Sequence, residues 1–79
     1  MKELINNINK IHTTNLGLLR IKKNLNLDNE DIIDYCKKII LDKNTNIYKK
    51  GKNYYCKNNN ILLTINSYSY TIITAKKEE

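Results

Sequence analysis

His12, Thr14, Gly17 and Arg20 form the cluster in this 79-residue chain whose residue types could act on a phosphate. If Thr14 caps a helix, the free amides of Asn15, Leu16 and Gly17 sit at its start, where the backbone dipoles favour an anion. Gly17 has no side chain to hold a phosphate away, and Arg20 follows one turn later on the same side. His12 is the single histidine of the chain, and histidine is the residue type that serves as general acid or base near neutrality. A plainer reading is open for each: His12 ends a preceding helix, Gly17 eases helix packing and Arg20 is solvated.

A second cluster is Tyr48-Lys49-Lys50-Gly51-Lys52-Asn53-Tyr54-Tyr55. Lysines such as Lys50 and Lys52 neutralise phosphates, and an aromatic face such as that of Tyr54 stacks on an unpaired base, so the pattern suits single-stranded nucleic acid. A lysine-rich turn that keeps a sheet edge from aggregating, with tyrosines packed across strands, accounts for the same residues. Ser67, Ser69, Thr71 and Thr74 add hydroxyls towards the carboxyl end, each readable as an ordinary strand former. Neither a glycine-rich phosphate loop ending in Lys-Ser/Thr nor a Gly-x-Ser-x-Gly nucleophile elbow is present. Cys36 and Cys56 are the only cysteines, and with one histidine they make no four-ligand zinc set, so neither metal nor cofactor is expected. Half-buried reduced thiols are the plain reading of both, with a disulfide or a reactive thiol as the alternative.

Fourteen Lys and Arg against eight Asp and Glu leave a formal charge of +6, which excludes acidic mimicry of DNA. The charge favours RNA or another polyanion as partner. Fourteen Asn, thirteen Lys and thirteen Ile are the residues that A+T-rich codons specify, so part of the charge reflects coding bias. The longest aliphatic runs, Ile39-Ile40-Leu41 and Ile61-Leu62-Leu63, fall far short of the roughly 20 residues of a membrane span. The first residues mix Asn and Glu with apolar side chains, unlike a signal peptide, so a cytoplasmic location is expected. At this length residues 1–79 make a single domain, multidomain catalysis is excluded, and a homodimer is one way to gain stability.

The elements that must position these clusters follow from periodicity. Leu4, Ile5, Ile8 and Ile11 share one helical face and predict a short first helix. A second helix is predicted over Asn15 to Leu25 with Leu16, Leu19 and Leu25 inward, and a third from Asp28 onward, capped by Asp28 with Asp31 three residues on and carrying Ile32, Ile33, Cys36, Ile39 and Ile40. The helical part is 1–42. From 46 to 76 the period changes to two, predicting strands near Asn46 to Lys50, Asn53 to Lys57, Ile61 to Ile65 and Tyr68 to Ala75. Gly51-Lys52, Asn58-Asn59-Asn60 and Asn66-Ser67 are the turns, and links this short permit only antiparallel pairing. The last strand is apolar on both sides, which predicts a central or doubly covered strand. The expected class is α+β, with two to three N-terminal helices packed on one face of a four-stranded antiparallel β-meander.

The runs His12-Thr13-Thr14 with Gly17 and Arg20-Ile21, Lys23-Asn24-Leu25, Lys50-Gly51-Lys52-Asn53-Tyr54-Tyr55 and Asn66 to Ala75 resemble a family of short bacterial proteins of unassigned function. The resemblance covers nearly the whole chain and implies a fold without an activity. The architecture is distantly similar to the small ribonuclease superfamily of barnase, colicin and RelE-type toxins. That similarity implies attack of an RNA 2′-hydroxyl on the adjacent phosphate, with His12 as acid or base, Arg20 and Lys50 or Lys52 stabilising charge, and Tyr70 or Thr74 giving a hydrogen bond. Lys76 stands where many relatives are expected to carry a histidine, which points to binding without catalysis if that imidazole is needed. The expected function is therefore an RNA-directed protein, either a metal-independent ribonuclease or a toxin of a mobile element. The alternative is a non-enzymatic phage or mobile-element protein that inhibits a host defence complex by binding protein or its RNA.

Overall fold

In the computed structural model, residues 2–28 and 31–78 are described. Helices α1 (Lys2–Asn6), α2 (Asn15–Asn24) and α3 (Ile32–Leu41) precede strands β1 (Asn46–Lys50), β2 (Asn53–Asn58), β3 (Ile61–Asn66) and β4 (Ile72–Lys77). The strands pair antiparallel in the order β1-β2-β3-β4, so the α+β meander expected from the periodicity is the fold.

The first helix is shorter than its apolar spacing suggests. The Asn7 side-chain amide donates to the Glu3 carbonyl at 2.8 Å, competing with the backbone ladder, and Ile8–Lys10 continues as a separate 3-10 turn. Leu4 and Ile11 are buried, whereas Ile5 is exposed.

Thr14 does cap α2, accepting the Gly17 amide at 3.0 Å. Of the three leucines expected inward on α2, Leu25 is buried, together with Ile21, whereas Leu16 and Leu19 are 57% and 64% exposed. Two long-range hydrogen bonds set this rotation. Thr13 Oγ1 donates to the Ile72 carbonyl at 3.1 Å, and Asn24 Nδ2 to the Ala75 carbonyl at 3.2 Å. Both acceptors belong to β4, so the helix is held beside that strand and Gly17, Ile21 and Leu25 turn inward. At α3 the cap is Asp31, whose side chain accepts the Asp34 amide at 3.1 Å, rather than Asp28. Residues 29 and 30 lie outside the described residues.

The sheet separates two faces. Tyr54, Cys56, Leu63, Ile65, Ile72 and Ala75 are buried beneath the helices. Both cysteines are free and wholly buried, not half-buried. Burial pushes each thiol up to about 12 from an ordinary 9.0, so neither is a ready nucleophile.

The last strand starts at Ile72, four residues later than its sequence pattern implies, because Asn66 organises the preceding residues as a loop. Asn66 Oδ1 accepts the amides of Tyr68 and Ser69, each at 2.9 Å. Strict alternation also fails, since a register shift between Thr64 and Ile65 pairs Thr64 with Thr74 and Ile65 with Ile72. Ile72 and Ala75 therefore both reach the core, and Ile73 is left exposed as the extra residue of a bulge. β4 is an edge strand rather than a central one, and the bonds from His12, Thr13 and Asn24 occupy its outer side.

Gly17 illustrates how tightly α2 meets its neighbours. A β-carbon at this position would lie 2.2 Å from Thr13 Oγ1 and 3.2 Å from Thr14 Oγ1. Gly17→Ala gains helix propensity, worth at most about 1 kcal/mol, but drives Thr13 off the Ile72 carbonyl at a cost of about 1–3 kcal/mol. A net loss of about 1 kcal/mol is expected by urea denaturation. In a Thr13→Ala background the same substitution becomes neutral or stabilising, and an undiminished loss there would exclude this contact as its cause.

Candidate functional site

His12 lies where the chain passes from the 3-10 turn to α2, and its backbone is stitched to the start of β4. Its amide donates to the Tyr70 carbonyl at 3.2 Å, and its carbonyl accepts the Ile72 amide at 2.8 Å, forming a short parallel bridge opposite Thr71. This bridge fixes the imidazole against the loop. Nδ1 is 2.8 Å from the Lys10 carbonyl and Nε2 is 3.1 Å from Thr71 Oγ1.

The hydrogen bonds fix which nitrogen of a neutral ring bears the hydrogen. A carbonyl oxygen only accepts, so Nδ1 carries it, and in that neutral form Nε2 is the acceptor for the Thr71 hydroxyl. Ser69 Oγ lies 2.8 Å from Thr71 Oγ1 and 3.3 Å from Asn66 Oδ1. Because Asn66 Oδ1 already takes two amides, the Ser69 hydrogen is best directed at Thr71. The chain of groups is thus a carbonyl, an imidazole and two hydroxyls: a base oriented from behind, with a hydroxyl in front of it.

Tyr70 precedes Thr71 in this loop. It is held at φ 58°, a left-handed conformation costly for a bulky residue, by its amide bond to the Asn66 carbonyl at 2.9 Å and its carbonyl bond to His12. Lys10 Nζ sits 5.7 Å from the centre of its ring. The basic hairpin belongs to the same end of the sheet: the β1–β2 turn and the loop 67–71 both lie there, and the Ser67 amide donates to the Lys52 carbonyl at 2.8 Å. His12, Tyr70, Lys50 and Lys52 lie at one end of the sheet, with the hairpin on the β1 side and His12 beside β4 at the opposite edge.

Other residues singled out from the sequence are elsewhere or otherwise engaged. The Gly17 amide is taken by Thr14, and its bare α-carbon faces Thr13 rather than an anion. Arg20 is exposed on α2 and makes no hydrogen bond or ion pair among the described residues. Thr74 lies opposite Thr64 on the helix-free side of the sheet. Tyr54 is buried, donates to Glu3 Oε2 at 3.2 Å and lies 5.9 Å beneath Lys49 Nζ, so it offers no face to a base. Ser69 and Thr71 stand out in the sequence only as hydroxyls of the last strand, and neither their place at His12 nor the Lys10 carbonyl can be read from it. The Asn66-Ser67-Tyr68-Ser69 run carries the signal of a side-chain-stabilised turn, but nothing local links it to His12, 59 residues from Thr71.

The fold and this end of the sheet define a small α+β protein with a histidine–hydroxyl group at the same end of the sheet as a basic hairpin. The chain belongs to the family described as protein of unknown function (DUF3781), whose model matches residues 5–76. No curated protein and no solved structure matches it. No helix among the described residues is long and apolar enough to cross a membrane.

Proposed function

We propose that this chain is a small basic cytoplasmic protein directed at RNA, acting as a metal-independent ribonuclease or a toxin of that kind. The observation that carries the reading is the imidazole of His12, oriented by the Lys10 carbonyl with Nε2 towards a hydroxyl, at the end of the sheet that bears Lys50 and Lys52. In this reading an RNA 2′-hydroxyl takes the place of the Thr71 hydroxyl as donor to Nε2. The imidazole removes its proton as the oxygen attacks the adjacent phosphorus, and the bond to the 5′-oxygen breaks as that oxygen takes a proton from water, giving a cyclic phosphate and a 5′-hydroxyl. Lysines of the hairpin offset the charge that builds on the phosphate.

Incubation with labelled single-stranded RNA in EDTA tests it. Wild type should cleave, and His12→Ala should lose about a hundredfold or more in rate, the usual contribution of a positioned acid or base. Equal rates would remove His12 from any reaction.

A second reading rests on α2. Leu16 and Leu19 are exposed, and the helix carries Arg20, Lys22 and Lys23 with no acidic residue. An apolar stripe flanked by cations suits an acidic protein surface, as an inhibitor of a host defence complex would need. Under that reading Leu16→Ser with Leu19→Ser abolishes inhibition of the complex while His12→Ala leaves it intact. Under the ribonuclease reading the leucine variant cleaves as wild type does.

A further inference from the structure

All three helices pack on one side of the sheet, and the other side is left open. The strand register gives the content of that open side row by row. Tyr48, Tyr55, Thr64 and Thr74 lie across from one another in the middle row. Lys57 and Lys76 flank Leu62 in the row on one side, and Lys50 stands beside Asn53 in the row on the other. Rows two residues apart are separated by about 7 Å, so lysines stand on both sides of the aromatic row. The rings of Tyr48 and Tyr55 are stacked, with centroids 5.3 Å apart and planes 19° from parallel, and Tyr48 is 42% exposed.

We infer that this open face is a platform for single-stranded nucleic acid, with an unpaired base stacking on the Tyr48–Tyr55 pair and flanking phosphates meeting Lys50, Lys57 and Lys76. Two features select this occupant. The aromatic pair is already ordered by cross-strand packing, so a base adds to a stack without ordering a free side chain. The charged groups in the flanking rows are lysines, which complement a polyanion; the only acid engaged with them among the described residues is Glu78, 3.7 Å from Lys57, in a half-exposed pair that a phosphate can displace. A duplex hides its base faces, so the platform discriminates against it. The inference deepens the RNA reading by naming the form of the polymer and rests on that reading only for the choice of RNA, because stacking is indifferent to the sugar.

The test is binding of a labelled oligodeoxythymidylate of about twelve nucleotides, which has no 2′-hydroxyl to cleave, followed by anisotropy at several salt concentrations. Wild type should bind it, and more tightly than a DNA duplex of equal length. Tyr48→Ala with Tyr55→Ala should weaken binding roughly tenfold to a hundredfold, and Tyr48→Phe with Tyr55→Phe should retain it. Each of Lys50→Ala, Lys57→Ala and Lys76→Ala should lower the salt slope by about one. Circular dichroism of the alanine variant separates a lost site from a lost fold, and the phenylalanine variant tests stacking in either case. Unchanged affinity in a folded double alanine variant, or equal affinity for duplex, would overturn the inference whether or not RNA is cleaved. Tyrosine-dependent binding without RNA cleavage would uphold it and remove the ribonuclease reading alone.

Discussion

Tyr54→Ala is expected to leave the protein largely unfolded at 37 °C. Tyr54 is 2% exposed and is among the largest fully buried side chains, and its hydroxyl reaches across to Glu3 at the start of the chain. Truncating a buried aromatic costs about 3–5 kcal/mol, and a core of this size rarely supplies more than about 3–5 kcal/mol in total. Loss of the far-ultraviolet signal and of the urea transition would report it. Tyr54→Phe keeps the ring and gives up only the bond to Glu3, so it should cost about 1 kcal/mol and leave nucleic-acid binding unchanged. A folded Tyr54→Ala protein with weakened RNA binding would instead return Tyr54 to the binding surface.

Stability should collapse at alkaline pH, and the two cysteines should set the slope. Both thiols are pushed up to about 12 by burial. In the unfolded chain they titrate near 9, so the folded state holds protons that the unfolded state releases. Their contribution is complete below pH 9 and is lost as pH rises towards 12. Each thiol removes about 1.4 kcal/mol per pH unit in that window, and two remove nearly 3 kcal/mol per unit, enough to exhaust a small domain within about two units. Burial also raises Tyr54, helped by its bond to Glu3 and the Glu3 charge, which adds to the loss above pH 10. Urea denaturation at a series of pH values should show the slope between about pH 9 and 10 halved in Cys36→Val or Cys56→Val and nearly removed in the double variant, with the Tyr54 contribution remaining above that. Because the slope is read rather than the midpoint, any packing change from valine does not disturb the comparison. An unchanged slope would mean that the thiols are not the groups responsible.

Much of the architecture was legible because it is local. Ile32, Cys36 and Ile40 repeat at helical spacing with Asp31 before them, and α3 forms there. Gly51 at φ 61° and Asn59 at φ 53° sit in the two hairpin turns, where residues that tolerate a left-handed backbone were expected. The failures share a different cause. Leu16 and Leu19 have helical spacing yet face outward, because Thr13 and Asn24 bind carbonyls of a strand more than fifty residues away. Residues 68–71 read as strand by composition and form a loop, because one side-chain oxygen of Asn66 gathers the amides there.

The candidate site divides in the same way. His12, the cap at Thr14 and the lysines of the hairpin are apparent from residue type and turn chemistry alone. Which hydroxyl meets His12 is settled by the parallel bridge between His12 and Thr71, and Tyr54 goes inward while its neighbour Tyr55 goes outward only because the helices cover one face of the sheet. Charge, the cap at Thr14 and the two hairpin turns act over a few residues, so the sequence by itself determined them. Alternation within a strand names two opposite faces without saying which is covered, and a bulge resets even that alternation, so the tertiary packing decided which side chains are core and which stand beside His12.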